Sequence, residues 1–334
     1  VGYGVLTDLT QGESNTVMGY NAGANITDGH DNIIIGQQAG DVTTSVGFSV
    51  IIGAAACGTG DITAAADGVV AIGNEALKAL TSGAGNTAVG YQALTAITTG
   101  GGNVAVGHQA MDAADGTEEY NIAIGHSAMG AFDENGNAGN QNIAIGRDAL
   151  KGGACDGNTT GNIAIGHQAM DATSTNAQIG TIAIGKSALG ALTSGGGNTA
   201  IGYLALTALL DGGSNTAVGY NALLAETEGF YSTAVGYGAL TSQNGIDGAV
   251  SNTAVGFNAG AFVTTGISST FVGSEAGQGI TGAKLTGDNN TAFGAGSGKL
   301  LQGAAHSNTF IGSTAGNVAT TAVENTCLGF NCDI

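Results

Sequence analysis

The chain has 334 residues, 62 of them Gly and none Pro or Trp, with 9% charged and 5% aromatic. Aromatics this sparse cannot organise a thick globular core, although small residues that meet repeatedly can build a thin one. A net charge of −19 with six Lys and Arg excludes the counterion-displacing basic patch that nucleic acids or anionic lipid surfaces require.

The chain opens on Val1 inside a repeat, without an initiator Met or signal peptide, as a processed or excerpted product does. No run of eighteen apolar residues exists, so no helix is expected to insert in a membrane. Taken in chain order, one glycine marks each unit: Gly2, 19, 36, 53, 73, 90, 107, 125, 146, 166, 185, 202, 219, 236, 256, 273, 294, 312 and 329. Ten of the eighteen spacings are 17 and the others 18 to 21. A constant minimum with small additions predicts about nineteen stacked coils of fixed circumference, with loops lengthening at one corner. The fold class expected is all-β, a single continuous parallel β-solenoid over residues 1–334. At about 4.8 Å per parallel strand, nineteen coils make a rod of roughly 90 Å. Neither end shows a polar cap, which predicts end-to-end polymerisation or a longer fibre.

Each column of the repeat has a reading. The residue three before the Gly is Thr, Val or Ile and the one directly before it is apolar, an alternation that predicts a strand with those branched residues facing inward. Between them stands Ala in twelve of eighteen units, on the opposite face with the Gly, a flat strip suited to close approach by another chain. Four before the Gly, Asn fills thirteen of eighteen units, where it suits a left-handed corner and can stack into an amide ladder. Three after the Gly, Ala fills sixteen of nineteen. The segments that follow, such as Glu75-Ala-Leu-Lys-Ala-Leu80 and Gln38-Ala-Gly-Asp-Val-Thr43, are too short for independent helices and read as strand or irregular turn. Insertions at 133–140, 152–161 and 243–251 read as surface loops.

The segments Asn121-Ile-Ala-Ile-Gly125, Asn142-Ile-Ala-Ile-Gly146 and Asn162-Ile-Ala-Ile-Gly166 resemble the head repeats of YadA-type trimeric autotransporter adhesins. The longer form Asn86-Thr-Ala-Val-Gly90-Tyr-Gln-Ala-Leu94 is similar to repeats of bacteriophage tail fibres. The resemblance covers nearly the whole chain. It implies a left-handed β-roll, a homotrimer, and an extracellular adhesive or fibre-forming role at a cell or virion surface. Its repeats are about fourteen residues, shorter than the 17 or more here, so the coil cross-section must differ. A heptad stalk and a membrane-anchor barrel are not present in this sequence.

The column just after the Gly is the candidate binding surface: Tyr91, His108, His126, Arg147, His167, Lys186, Tyr203, Tyr220, Tyr237 and Phe257, with Tyr3 and Tyr20 before them. Stacked coils turn it into an aromatic and cationic ladder, read either as a surface for a cell-surface glycan or protein receptor, or as self-stacking along the rod or packing at a trimer contact. Self-stacking is favoured, because each member is explained by its neighbours. His108 and His126 lie in adjacent coils but lack a Cys or carboxylate partner in their column, a poor metal site. No cofactor is expected; Ca²⁺ at acidic loops such as 112–119 and 28–31 is the one candidate, and neither matches a calcium-loop pattern.

Cys327 and Cys332 take small-residue positions and read as packed, while Cys57 and Cys155, five coils apart, are beyond disulfide reach. Catalysis is not expected. The hexapeptide repeat of left-handed β-helix acyltransferases needs an apolar residue where this chain has Thr95, Asp112, Gly130, Lys151, Asp171 and Gly190, and no nucleophile elbow, P-loop or zincin motif occurs. The leading reading is a non-catalytic fibre or shaft segment; the alternatives are a receptor-binding phage tail fibre, an ice-binding solenoid and a loop-based glycan-active protein. The inward assignment of the Thr column counts against ice binding.

Overall fold

The computed structural model describes residues 2–132, 139–152, 158–172, 178–245 and 248–334. Contacts divide the chain into one unit of Val1–Gln168 with Ala172–Ile179 and another of Ala169–Asp171 with Gly180–Ile334. Each unit is a parallel β-solenoid. Among the described residues there is no α-helix, only a single 3₁₀ turn at Ala64–Ala66.

The first unit carries nine three-residue strands, from Thr16–Met18 to Ile163–Ile165, and the second carries nine more, from Ile182–Ile184 to Thr326–Leu328. Within each unit every strand pairs in parallel with the strand of the next coil, column on column: Thr87 with Val104, Ala88 with Ala105, Val89 with Val106. Thr199, Ala200 and Ile201 pair in the same way with Thr216, Ala217 and Val218. Part of the inserted sequence pairs as well. Thr159–Thr160 runs beside Gln178–Ile179, and Gly229–Phe230 beside Gly248–Ala249. The remainder of the insertions at 133–138, 153–157 and 246–247 lies outside the described residues, as does Cys155.

The strands are turned the opposite way from the expectation. The central Ala column faces the core: Ala71, Ala88, Ala105, Ala200 and Ala217 are all fully buried. The branched columns on either side are half-buried or exposed, as in Thr87–Val89 and Thr253–Val255. A two-residue period shows that a strand has two faces, but it does not say which face is inside. The inward position holds Ala where Leu or Met fills the facing turn, and the larger residues Ile34, Ile51, Phe271 and Phe310 stand where that turn residue is Gly or Cys; the two flanking columns stay outside the core. Branched side chains instead pack laterally along a pleated surface, which suits them when half exposed.

Opposite the strand, the core is completed by the Ala three after each Gly and by the residue that follows it. That second residue is Leu or Met in eleven coils, and in ten of them, including Leu94, Met111 and Leu206, it is fully buried with φ near +50°. A left-handed conformation costs an L-residue roughly 1–2 kcal/mol. Burial and an inter-coil bond offset that cost: Leu94 N–H donates to Ala110 O at 3.0 Å, and Met111 N–H to Ala128 O at 3.0 Å. The slots weighed between helix, strand and turn are therefore turns with left-handed residues at alternate positions, such as Gln92 and Leu94.

The repeat Asn is buried and stacks as an amide ladder. Asn103 Nδ2 donates to Asn86 Oδ1, Asn121 Nδ2 to Asn103 Oδ1, Asn142 Nδ2 to Asn121 Oδ1 and Asn162 Nδ2 to Asn142 Oδ1, all at 3.1–3.2 Å. The left-handed corner falls one residue earlier, at Gly85, Gly102, Tyr120 and Gln141, and not at the Asn.

Cys327 and Cys332 are joined in a disulfide with Cα atoms 5.8 Å apart, rather than merely packed. They occupy the strand-Ala and turn-Ala columns of one coil, and those columns meet across the thin core.

Candidate functional site

The geometry of the site starts at the repeat Gly. Gly90 has φ +142°, and a Cβ there would lie 2.2 Å from Gly107 O; Gly202 and Gly219 stand in the same relation, with 2.3 Å. Backbone conformation and inter-coil contact both demand glycine at this column. Directly beyond it the chain turns outward, which leaves the next side chain exposed.

All the candidate ladder residues sit on that column. In the first unit Tyr91 stacks on His108 and His108 on His126, each pair with ring centroids 5.0 Å apart, the two imidazoles parallel to within 2°. Arg147 follows, its guanidinium on His167 Nε2 and its Nε 3.4 Å from Asp148. In the second unit Lys186 lies over the Tyr203 ring at 5.8 Å, and Tyr203, Tyr220, Tyr237 and Phe257 stack with centroids 5.0, 5.1 and 5.5 Å apart. Tyr3 and Tyr20 stack at 5.8 Å near the start of the first unit. Interior members of each stack thus have both ring faces covered by their neighbours and present only edges and polar tips to solvent.

Stacked imidazoles hold their in-plane lone pairs side by side, so His108 and His126 do not converge on a common point. Among the described residues no group of three His, Cys, Asp or Glu could hold a metal. The acidic loops use their carboxylates internally: Asp31 pairs with His30 at 3.1 Å, and Glu118 accepts from Gly116 N–H at 3.0 Å.

Beside the ladder runs a second polar column. Gln109 Nε2 donates to Gln92 Oε1 at 3.3 Å, Gln92 Nε2 to Glu75 Oε2 at 2.7 Å, and Lys78 to Glu75 Oε1 at 2.8 Å. The bond from Gln92 first, and Lys78 second, hold the Glu75 carboxyl below its ordinary range. Asp112 is shifted the other way, because burial outweighs its backbone hydrogen bond and the charges of His108, Lys151 and His126. Burial pushes the Cys57 thiol up to about 12.

Two features escaped the sequence reading. Glu226 is fully buried in a column that holds Leu192 and Leu209 in preceding coils. Its carboxylate accepts from the N–H groups of Thr227, Gly229 and Gly245 and from Gln243 Nε2. Gln243 also donates to Ser232 Oγ and accepts from Asn252 Nδ2, which fills the break that Ser232 makes in the amide ladder. The paired departures Glu226/Gln243 and Ser232 from their columns were the available signal. The second feature is an interruption of the aromatic column: after Phe257 the position holds Ser274, Ala295 and Ser313, before Phe330 resumes it. A groove of about 340 Å³ opens there.

No protein-family model, no curated protein and no solved structure matches this chain. No helix among the described residues is long and apolar enough to cross a membrane.

Proposed function

We propose that the chain is a non-catalytic shaft or adhesive segment of an extracellular fibre, assembled as a homotrimer of about nineteen-coil, left-handed rolls. The observation that carries this reading is the outward strand face. Across the eighteen three-residue strands, both outward columns hold Thr, Val, Ile, Met, Phe or Leu and no charged residue. Ile33, Ile72, Ile124, Phe293 and Ile311 are among the residues exposed on it. Solvated sheet faces and edges ordinarily carry charged gatekeepers, and a continuous apolar face of this kind marks a surface for association. Further copies of the chain are the occupants favoured here, in place of the Ala strip, which is inside. The resemblance to adhesin-head and tail-fibre repeats points the same way, and it also favours a surface location and a glycan or protein receptor. Native mass spectrometry combined with cryo-electron microscopy tests the reading: a threefold particle with an axial rise of about 4.8 Å is expected, and a stable monomer overturns it.

One specific feature favours a second reading. In the second unit the outward Thr column is unbroken through Thr199, Thr216, Thr233, Thr253, Thr270, Thr291, Thr309 and Thr326, paired in register. A regular array of hydroxyls and methyls at the parallel-strand spacing can order water, the requirement of an ice-binding face. The two readings compete for one surface. Thermal hysteresis from a monomeric protein supports ice binding, and its absence from a trimer supports the fibre.

A further inference from the structure

The interruption of the aromatic column in the second unit has the chemistry of a binding site. Phe257 stacks on Tyr237 through one face, with centroids 5.5 Å apart. The next coil offers no ring to the other face, because it carries Ser274. Four coil steps separate Phe257 from Phe330, a span of roughly 19 Å at the parallel-strand spacing. Phe257 is 49% and Phe330 82% exposed, so both remain open to solvent at the ends of the gap.

Between them the groove of about 340 Å³ has a rim of Ser274, Glu275, Lys299, Ser313, Thr314 and Asn317. Lys299 Nζ and Glu275 Oε2 form an ion pair at 2.6 Å, reaching from one coil to the next along the side of the groove. Thr314 donates to Ser313 O at 2.7 Å, which leaves its oxygen free to accept. Ala295 and Gly296 form a low floor.

The lining selects the ligand. It alternates donors and acceptors, and its charges are one cation and one anion already paired with each other. An isolated anion would meet a chain of net charge −19, and an isolated cation would meet a single, occupied carboxylate. A wholly apolar ligand would cover the ion pair and hydroxyls without satisfying them, which costs free energy. A neutral molecule with hydroxyls around its rim and one flat apolar face fits both halves of the site. We propose that this groove binds a pyranose sugar at its Phe257 end, which takes the place of the missing rung: its C–H face lies on Phe257, and its equatorial hydroxyls reach Ser274 and the Glu275–Lys299 pair. Gluco-configured β-linked sugars suit it best, because all-equatorial substituents leave the ring faces apolar. The site stands whether or not the chain assembles into a fibre.

Cellobiose is the probe, added to the purified full-length protein and followed by saturation-transfer NMR and calorimetry. Two variants close the groove in different ways. Ser274→Tyr restores a ring to the open face of Phe257, where Tyr203 and Tyr220 show that tyrosine is compatible with this column. Phe257→Ala removes the platform. Tyr120→Ala, an exposed ring of the first unit outside the aromatic column, serves as the control. Saturation transfer centred on the ring C–H protons, weakened at least tenfold by either groove variant and unchanged by the control, is the expected result. The proposal is overturned if the wild type gives no transfer and no heat, or if Ser274→Tyr, still showing the wild-type melting transition, binds as the wild type does.

Discussion

A Cβ placed on Gly277 would lie 2.0 Å from Cδ1 of Phe271, and one on Gly316 would lie 2.7 Å from Cδ1 of Phe310. In each of these coils a large residue stands in the strand column usually held by Ala, and a glycine stands in the turn column usually held by Leu or Met. The coil conserves core volume by exchanging Ala/Leu for Phe/Gly. Gly260 and Gly298, each one coil earlier, sit 2.9 Å by the same measure from the Phe271 and Phe310 rings, so one Phe draws two glycines.

The exchange predicts a strong coupling. Phe271→Ala should cost about 3–5 kcal/mol through the cavity it leaves. Gly277→Leu alone should be at least as damaging, because it overpacks a filled core. The double variant Phe271→Ala/Gly277→Leu recreates the Ala88/Leu94 arrangement, and should fall within about 1.5 kcal/mol of the wild type. Urea titration of the four proteins gives the coupling energy; simple additivity would show that the two side chains do not share the same space.

The amide ladder predicts a graded series at Asn103. Its Oδ1 accepts from Asn121 N–H and Nδ2, and its Nδ2 donates to Asn86 Oδ1 and to Glu118 O. Asn103→Ala orphans partners on both sides in a buried place, at about 1–3 kcal/mol for each unsatisfied group. Asn103→Ser should be milder, since Ser49 and Ser232 hold this column elsewhere. Asn103→Asp should be worst at neutral pH, where an acceptor-only carboxylate faces Asn86 Oδ1 and the Glu118 carbonyl. Thermal melts should therefore rank Ser above Ala above Asp, and an Asp variant as stable as Ser would contradict the ladder.

These relationships show what the sequence made legible and what it did not. The glycine period, the in-register parallel stacking and the amide ladder could all be read, because each is a property of spacing and residue type. The sidedness of the strand could not be read from alternation, since both the Ala column and the branched columns are apolar. Small size suggested an outer contact strip, whereas Ala stands inside because Leu or Met fills the facing turn. Phe271 with Gly277 and Phe310 with Gly316 carried the missing information: only inward residues need to trade volume. The tolerance of Asn for left-handed backbone points to a corner at the Asn, but its amide is engaged in the interior and the corner falls one residue earlier. The ring stacking was legible from the column. The groove was not, because a gap in a column registers only once the neighbouring coils are in place.

Glu226 predicts a context-dependent substitution. Removing its carboxylate alone, as in Glu226→Leu, leaves the N–H groups of Gly229 and Gly245 without their acceptor and takes one of two acceptors from the Gln243 amide. A loss of about 3 kcal/mol or more is expected for breaking a buried polar cluster on one side. Replacing the cluster as a whole should behave differently. Glu226→Leu with Gln243→Leu and Ser232→Asn restores the apolar column and the amide ladder together, and should recover most of that loss. Melting temperatures of the single and triple variants decide it: a triple variant no better than the single one would mean that Glu226 holds its loop in a way the other coils do not need.

Acid should act on Asp112 and Glu75 in opposite senses. Burial raises Asp112 above its ordinary 3.8, so its charged form is a burden on the folded state at neutral pH, and the burden lifts as pH falls through the raised value. Asp112→Asn should therefore raise the melting temperature at pH near neutral, and the gain should vanish once the pH is below the ordinary aspartate value. Glu75 is held below its ordinary 4.5 by Gln92 and Lys78, so its charged form supports the fold above that value and the support is lost as pH falls through the lowered one. Glu75→Gln should lower the melting temperature at neutral pH, and the deficit should close in acid. Because Glu75 is held partly by the charge of Lys78, its deficit should also shrink in high salt, whereas Asp112, raised by burial, should respond less. Differential scanning calorimetry of the wild type and both variants across the acid range tests the pair, and two difference curves of the same sign would refute the assignment.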